Sequence, residues 1–199
     1  MSAAFDKFIV DLTESRKAID GYDLLEENGM DAGFALRSIW ITAVSALDHF
    51  ITNLVIEKCV ENYSVGDPST GKLLASLCTF ENMIEMSNAT EMERILIFRN
   101  SIVKHLKFRT FQKSEDIADG LSYFWFERDK WKSLSNKMLM DRKSLTRTIN
   151  GICNRRNLIA HNADFNEATG MQYPVDKDAA IRVISILFRV GLSIEKSTS

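Results

Sequence analysis

Apolar residues recur along this chain every three or four positions, the period of an α-helix. The strongest block runs from Asp31 to about Tyr63, where Leu36, Trp40, Ala43, Leu47, Phe50 and Leu54 alternate steps of four and three like a bundle seam. Ile39, Val44, Ile51 and Val55 add a second stripe, so neighbours must cover this helix over a wide arc. Nothing breaks it between Phe34 and Tyr63, and at about 1.5 Å per residue it spans roughly 45 Å. It is the expected mast of the fold. The Asp48-His49 pair on it reads as structural or surface.

The other blocks are shorter. Residues Ala3–Glu27 carry Phe5, Phe8, Ile9, Leu12, Ile19, Leu24 and Leu25 with an imperfect middle; Asn28-Gly29 stops that helix and Asp31 caps the next. Ser64–Gly71 is a loop, and its glycines are no phosphate loop, because Gly71 is followed by Lys72-Leu73 without the required Ser or Thr. A short helix over Lys72–Met86 follows. Ser87–Thr90 then caps a helix over Met92–Phe111, with Glu91 and Glu93 in its first turn. Its far end is basic (Arg99, Lys104, Lys107, Arg109, Lys113), which suits the helix dipole and would equally suit an RNA backbone. Asp116–Lys132 is rich in aromatics, Tyr123, Phe124, Trp125, Phe126 and Trp131, which serve either as core or as base-stacking surfaces. Helices over Arg142–Ala160 and Asp176–Lys196 close the chain around a turn at Asp164–Pro174. No strand, repeat or low-complexity tract is expected. The fold class is all-α, a helical bundle with a long central helix in a single domain over 1–199.

Composition narrows the class without naming a function. Apolar residues make up 45% and charged ones 26%, ordinary values for a globular protein. No run approaches the 18 or more apolar residues of a membrane span, so no membrane role is expected, and the acidic N-terminal stretch lacks a signal-peptide pattern; the expected location is cytoplasmic. Cys59, Cys78 and Cys153 are odd in number and widely spaced, which argues against disulfides and zinc, and three scattered histidines suggest no metal site. The net charge of −2 hides an asymmetry: Met1–Glu93 has 6 basic against 16 acidic residues, whereas Arg94–Arg156 has 15 against 6. That basic block either balances its acidic neighbour within the fold or holds a polyanion.

The block ends on the chain's densest chemistry. In the Arg142–Ala160 helix Leu145, Ile149, Ile152 and Ile159 form the apolar stripe, and at about 100° per residue Arg156 falls between Ile152 and Ile159. A guanidinium thus stands where an aliphatic side chain belongs, and it needs an anion or a wet cleft. The adjoining strip carries Asn150, Asn154, Asn157 and His161, with Asn157 and His161 four apart and nearly stacked. Arginine, amide and imidazole together suit phosphate chemistry; a solvated face with a satisfied polar pair is the plainer reading of the same spacing. On an ideal helix Arg156 and His161 differ by about 140°, so uniting them requires a break near the motif or the arginine's reach.

Arg156-Asn157-Leu158-Ile159-Ala160-His161 resembles the signature of HEPN ribonucleases, an arginine, a polar residue and a following histidine. The surroundings are similar to the RiboL-PSP-HEPN branch: Arg155 to His161, then Ala163-Asp164, Thr169-Gly170 and a last helix after Val175, with a weaker likeness at Thr110–Ser114. The resemblance covers about 31–196 and implies a HEPN-like bundle that cuts RNA without metal or cofactor. It makes Arg156, His161 and Asn157 the expected catalytic residues, and Arg155, Asn154 and Asp164 the expected substrate-binding ones. Arg155 could also be the motif arginine; Arg156 is preferred for its Asn follower and its place on the apolar stripe.

RNA supplies its own nucleophile, the 2′-hydroxyl beside each phosphodiester. A histidine titrating near neutral pH can act as base or acid, and an arginine offers a planar fork to phosphate oxygens. One chain has only one motif histidine, so acid plus base implies a homodimer with a composite site, as HEPN ribonucleases build theirs. The expected function is an endoribonuclease leaving a 2′,3′-cyclic phosphate, a phage-defence or toxin effector with an antitoxin or other defence protein as a further partner. Two alternatives remain: a non-catalytic HEPN module binding RNA, nucleotide or protein, and a purely structural dimer.

Overall fold

Burial of one helix on nearly all sides organises the chain. The structure, a computed structural model, describes residues 1–166 and 168–198. Its centre is the mast that the two apolar stripes predict: α2 (Gly33–Ser64) buries Leu36, Ile39, Leu47, Phe50, Ile51 and Leu54. The helices α1 (Ala3–Glu27), α5 (Glu91–Leu106), α8 (Arg142–Asn162) and α9 (Lys177–Thr198) pack along α2, with α3 (Thr70–Leu77) and α6 (Ser114–Leu121) covering the rest of its arc. Helix α7 (Lys130–Met138) wedges against α8 and α9, and α4 (Phe80–Asn88) lies on α5. By length and composition alone α2 could cross a membrane, since an 18-residue window has a mean hydropathy of 1.5, but 56% of that window is buried inside the bundle. Aromatic stacking helps lock α1 to α2: the Phe8 and Phe50 rings lie 4.9 Å apart, nearly parallel.

The helix ends follow local chemistry closely. Asn28 closes α1 with Gly29 at φ 72°, and the Met30 amide donates back to the Leu25 carbonyl at 3.0 Å. Thr90 and Glu93 form a reciprocal capping box on α5. Asp31 acts one residue earlier than expected: its carboxylate accepts from the Gly33 amide at 3.0 Å, and Ala32 is the capping position itself.

Two expectations are corrected. The helix expected over Lys72–Met86 is two, α3 and α4, divided at Cys78-Thr79, because Thr79 and Asn82 make a second capping box that starts a new helix. Helix α5 ends at Leu106 rather than Phe111, and the chain then runs as a connector to α6. The aromatic stretch runs from α6 through a turn into α7, and its rings divide between the two readings: Trp131 is buried, donating from Nε1 to the Ser114 carbonyl at 2.7 Å, whereas Phe126 is exposed. The only pairing of extended backbone among the described residues is an isolated bridge between Phe165 and Gln172.

Candidate active site

The site is carried by α8. Asp141 caps its start by accepting from the Ser144 amide at 2.8 Å, and that bond holds the Asp141 carboxyl below its usual range. No glycine or proline follows Gly151 before the helix ends, so α8 runs without interruption through His161 to Asn162. The break that would unite Arg156 and His161 within one chain is therefore absent. They stand about 140° apart around the helix and about 7.5 Å along it.

Arg156 faces inward, into a cleft between α2, the end of α5 and the connector after it. Its Nη1 donates to Asn157 Oδ1 at 3.0 Å, while its Nε is buried and has no hydrogen-bond partner among the described residues. Asn157 lies angularly between Arg156 and His161, and Cys153 lies one turn below it. A chain of polar contacts continues from there: Asn157 Nδ2 reaches the Cys153 sulfur at 4.0 Å, that thiol reaches Gln112 Oε1 at 3.9 Å, and Gln112 Nε2 donates to Asp48 at 2.8 Å. Burial pushes the Cys153 thiol up, against the pull of the Lys113 and Arg156 cations. Asp48 anchors the connector, since its other oxygen accepts from the Phe111 amide at 2.7 Å. Thr110–Ser114 is thus tied to the mast, and Asn150 accepts from the Ser114 amide at 2.8 Å, fixing α6 to α8.

The opposite face of α8 is bare. Arg147, Gly151, Asn154, Leu158 and His161, spaced by fours and threes, are all exposed and form one continuous stripe. A Cβ added at Gly151 would meet nothing within 4 Å. Asn154 and His161 therefore share this stripe and do not face the Arg156 cleft.

Arg155 and Asp164 have a different task from the one expected. Asp164 is 0% exposed, so it cannot touch a substrate, and that expectation is corrected. Its Oδ2 accepts from Arg155 Nη2 and from Arg37 Nε, both at 2.8 Å. Both arginines also reach the carbonyl of Tyr173, at 3.4 and 2.9 Å, and the Arg155 guanidinium lies over the Tyr173 ring. A buried carboxylate held by two guanidiniums ties α2, α8 and the turn before α9 together. Ala163 and Asp164 both adopt left-handed backbone, at φ 47° and 65°. Such conformations cost roughly 1–3 kcal/mol each and persist only where neighbours enforce them. Here the Asp164 amide donates to Leu158 O at 3.1 Å, Gln172 Nε2 to Ala163 O at 2.8 Å, and the Tyr173 amide to Asp164 O at 2.9 Å. The helix end carrying His161 is thereby held firmly. Arg37 was missed by sequence reasoning; the signal was its place as the one charged residue between Asp31 and Asp48, inside the strongest apolar stripes.

The two readings of the basic α5 end are separated in part by position. Lys107 and Arg109 line the same cleft as Arg156, whereas Lys104 and His105 lie in the last turn of α5 itself. Arg109 Nη1 donates to the Tyr123 hydroxyl at 2.9 Å, and the His105 ring contacts that hydroxyl at the same distance. Burial raises the Tyr123 hydroxyl, with Arg109 opposing it.

The all-α bundle fits a HEPN-type module, and the match to a known family agrees. The family model described as RiboL-PSP-HEPN covers residues 10–199, so the chain belongs to the RiboL-PSP-HEPN family. Membership marks it as a nuclease-like or RNA-related module. No curated protein and no solved structure matches the chain.

Proposed function

We propose that the protein is a homodimeric, metal-independent endoribonuclease whose site is completed across a two-fold axis. The observation that carries this reading is the bare stripe on α8, Arg147–Gly151–Asn154–Leu158–His161, placed on the far side of the helix from Arg156. A second copy crossing at Gly151 can approach closely, because no side chain stands there. Leu158 gives the crossing an apolar contact, and an open groove floored by Thr148, Gly151 and Ile152 adjoins it. If the two helices run nearly parallel, their stripes stay together over the roughly 15 Å from Gly151 to His161, and an isologous pairing brings two His161 rings to one axis.

In that arrangement His161 removes the proton from a 2′-hydroxyl, whose oxygen attacks the adjacent phosphorus. The partner's His161 protonates the departing 5′-oxygen, and Arg156, whose side chain must reach out of its cleft around the helix past Asn157, offsets the charge on the crowded phosphate. The bond to Asn157 steers the Arg156 fork toward the imidazole side. Products are a 2′,3′-cyclic phosphate and a 5′-hydroxyl, so atoms and protons balance without a metal. Family likeness supports a defence or toxin effector role, with an antitoxin or other defence protein as partner. Divergence of Arg156 and His161 within one chain favours the second reading, an RNA-binding module without catalysis.

Purified protein incubated with RNA in EDTA separates the two. Wild type is expected to cut, with His161→Ala and Arg156→Ala each slower by about 10²–10⁴-fold. RNA retained but uncut by wild type would leave the binding module.

A further inference from the structure

The Arg156 cleft is lined by Ser45, His49, Thr52, Lys107 and Arg109 as well as Arg156. Lys107, Arg109 and Arg156 form no ion pair among the described residues, so three cations share one depression with a single carboxylate, Asp48. The two oxygens of Asp48 are occupied by the Phe111 amide and the Gln112 side chain. His49 stands half-exposed at the rim, its Nδ1 3.6 Å from Asp11. Such a concentration of positive charge is relieved by a polyanion.

Phe108 lies between Lys107 and Arg109 in sequence and is 89% exposed, with Lys107 Nζ 5.4 Å from its ring centre. The connector that bears it is anchored on both sides of the ring, since Arg109 N donates to the Leu106 carbonyl at 2.9 Å and Asp48 accepts from the Phe111 amide at 2.7 Å. A bare ring on a fixed backbone beside unpaired cations matches a stacking platform beside a backbone track. A duplex conceals its base faces; an unpaired strand offers them.

We infer that this cleft is an anchor for single-stranded RNA, with Lys107 and Arg109 on the phosphate backbone leading away from Arg156 and Phe108 stacking on a base. The inference rests on the reading that Arg156 meets an RNA phosphate, and it adds that the substrate is unpaired beside the cut.

The test uses the full chain and a 2′-O-methyl oligonucleotide of about ten nucleotides, which cannot be cut, as single strand and as duplex. Fluorescence anisotropy is expected to show the single strand bound at least about tenfold more tightly than the duplex. Phe108→Ala is expected to weaken the single strand about tenfold without changing its salt dependence, and Phe108→Trp to restore it. Lys107→Ala and Arg109→Ala are each expected to flatten the slope of log affinity against log salt by about 0.7. Phe126→Ala, which removes an exposed ring elsewhere, serves as the control. Equal affinity for strand and duplex, full affinity in Phe108→Ala, or no binding by wild type overturns the anchor. Parallel cleavage of unmodified RNA tells the two readings apart. Anchored but uncut RNA sinks the nuclease alone; cut RNA indifferent to Phe108, Lys107 and Arg109 sinks the anchor alone.

Discussion

Asp164 shows how far a single residue can be from its apparent task. In the sequence it follows the motif histidine closely and reads as part of the site; in the fold it is the buried counter-ion of Arg155 and Arg37. Its partner Arg37 is 127 positions away, a separation at which periodicity and local spacing carry no information. Arg156 was legible because a charge interrupting an apolar stripe is a local signal. Removing one member of a buried ion cluster costs about 3–5 kcal/mol, so Asp164→Asn is expected to lower the midpoint of denaturant unfolding by a corresponding amount. A loss below about 1 kcal/mol would mean that the arginines find water instead. Cys59 supports a second expectation. Burial pushes its thiol from an ordinary value of 9.0 up to about 12. The native state holds the proton longer than the unfolded chain, so this contribution is complete below pH 9.0 and is lost as pH rises toward about 12. Stability in melts over that range is expected to fall less steeply for Cys59→Ala than for wild type.

At the scale of elements, most of the fold was legible because apolar period and capping residues agree. Both α1 and α2 lie within two residues of where those signals place them, and α5 starts on a Thr–Glu box. The α3–α4 division was hidden because its box uses Asn82 where Glu or Gln is the usual partner. Packing between helices is invisible to such signals. Gly191 on α9 lets Phe8 of α1 approach so closely that an added Cβ would lie 2.2 Å from the ring. Gly191→Ala is therefore expected to destabilise by about 1–3 kcal/mol, read by thermal unfolding. Gly151 is the counter-case, because its surroundings are open. Gly151→Ala is expected to stabilise the isolated helix by about 0.5–1 kcal/mol. Gly151→Arg should leave the melting temperature near wild type while abolishing dimers in sedimentation, and RNA cleavage with them. A Gly151→Arg protein that still dimerises and cuts would place the partner on another face.

Across the whole molecule, charge is segregated as strongly as polarity. The acidic N-terminal half builds α1 to α4, while the basic block supplies α5, the connector and α8 up to Arg156. Folding thus gathers cations onto the α5–α8 side, a grouping that sequence counts suggest but cannot aim at a cleft. Rates on RNA are expected to fall steeply as salt rises from low to physiological strength, and a flat profile would count against backbone contacts. Within that acidic half, α3 and α4 are the loosely built part. Thr70 and Met86 are the buried residues of α3 and α4, and Lys72 stands exposed in the first turn of α3. Segments with so little buried surface open first, which makes them the natural entry for a protease. A first tryptic cut at Lys72 should then yield two bands on a denaturing gel but an unchanged elution volume, because α2 in one fragment remains enclosed by α5, α8 and α9 in the other.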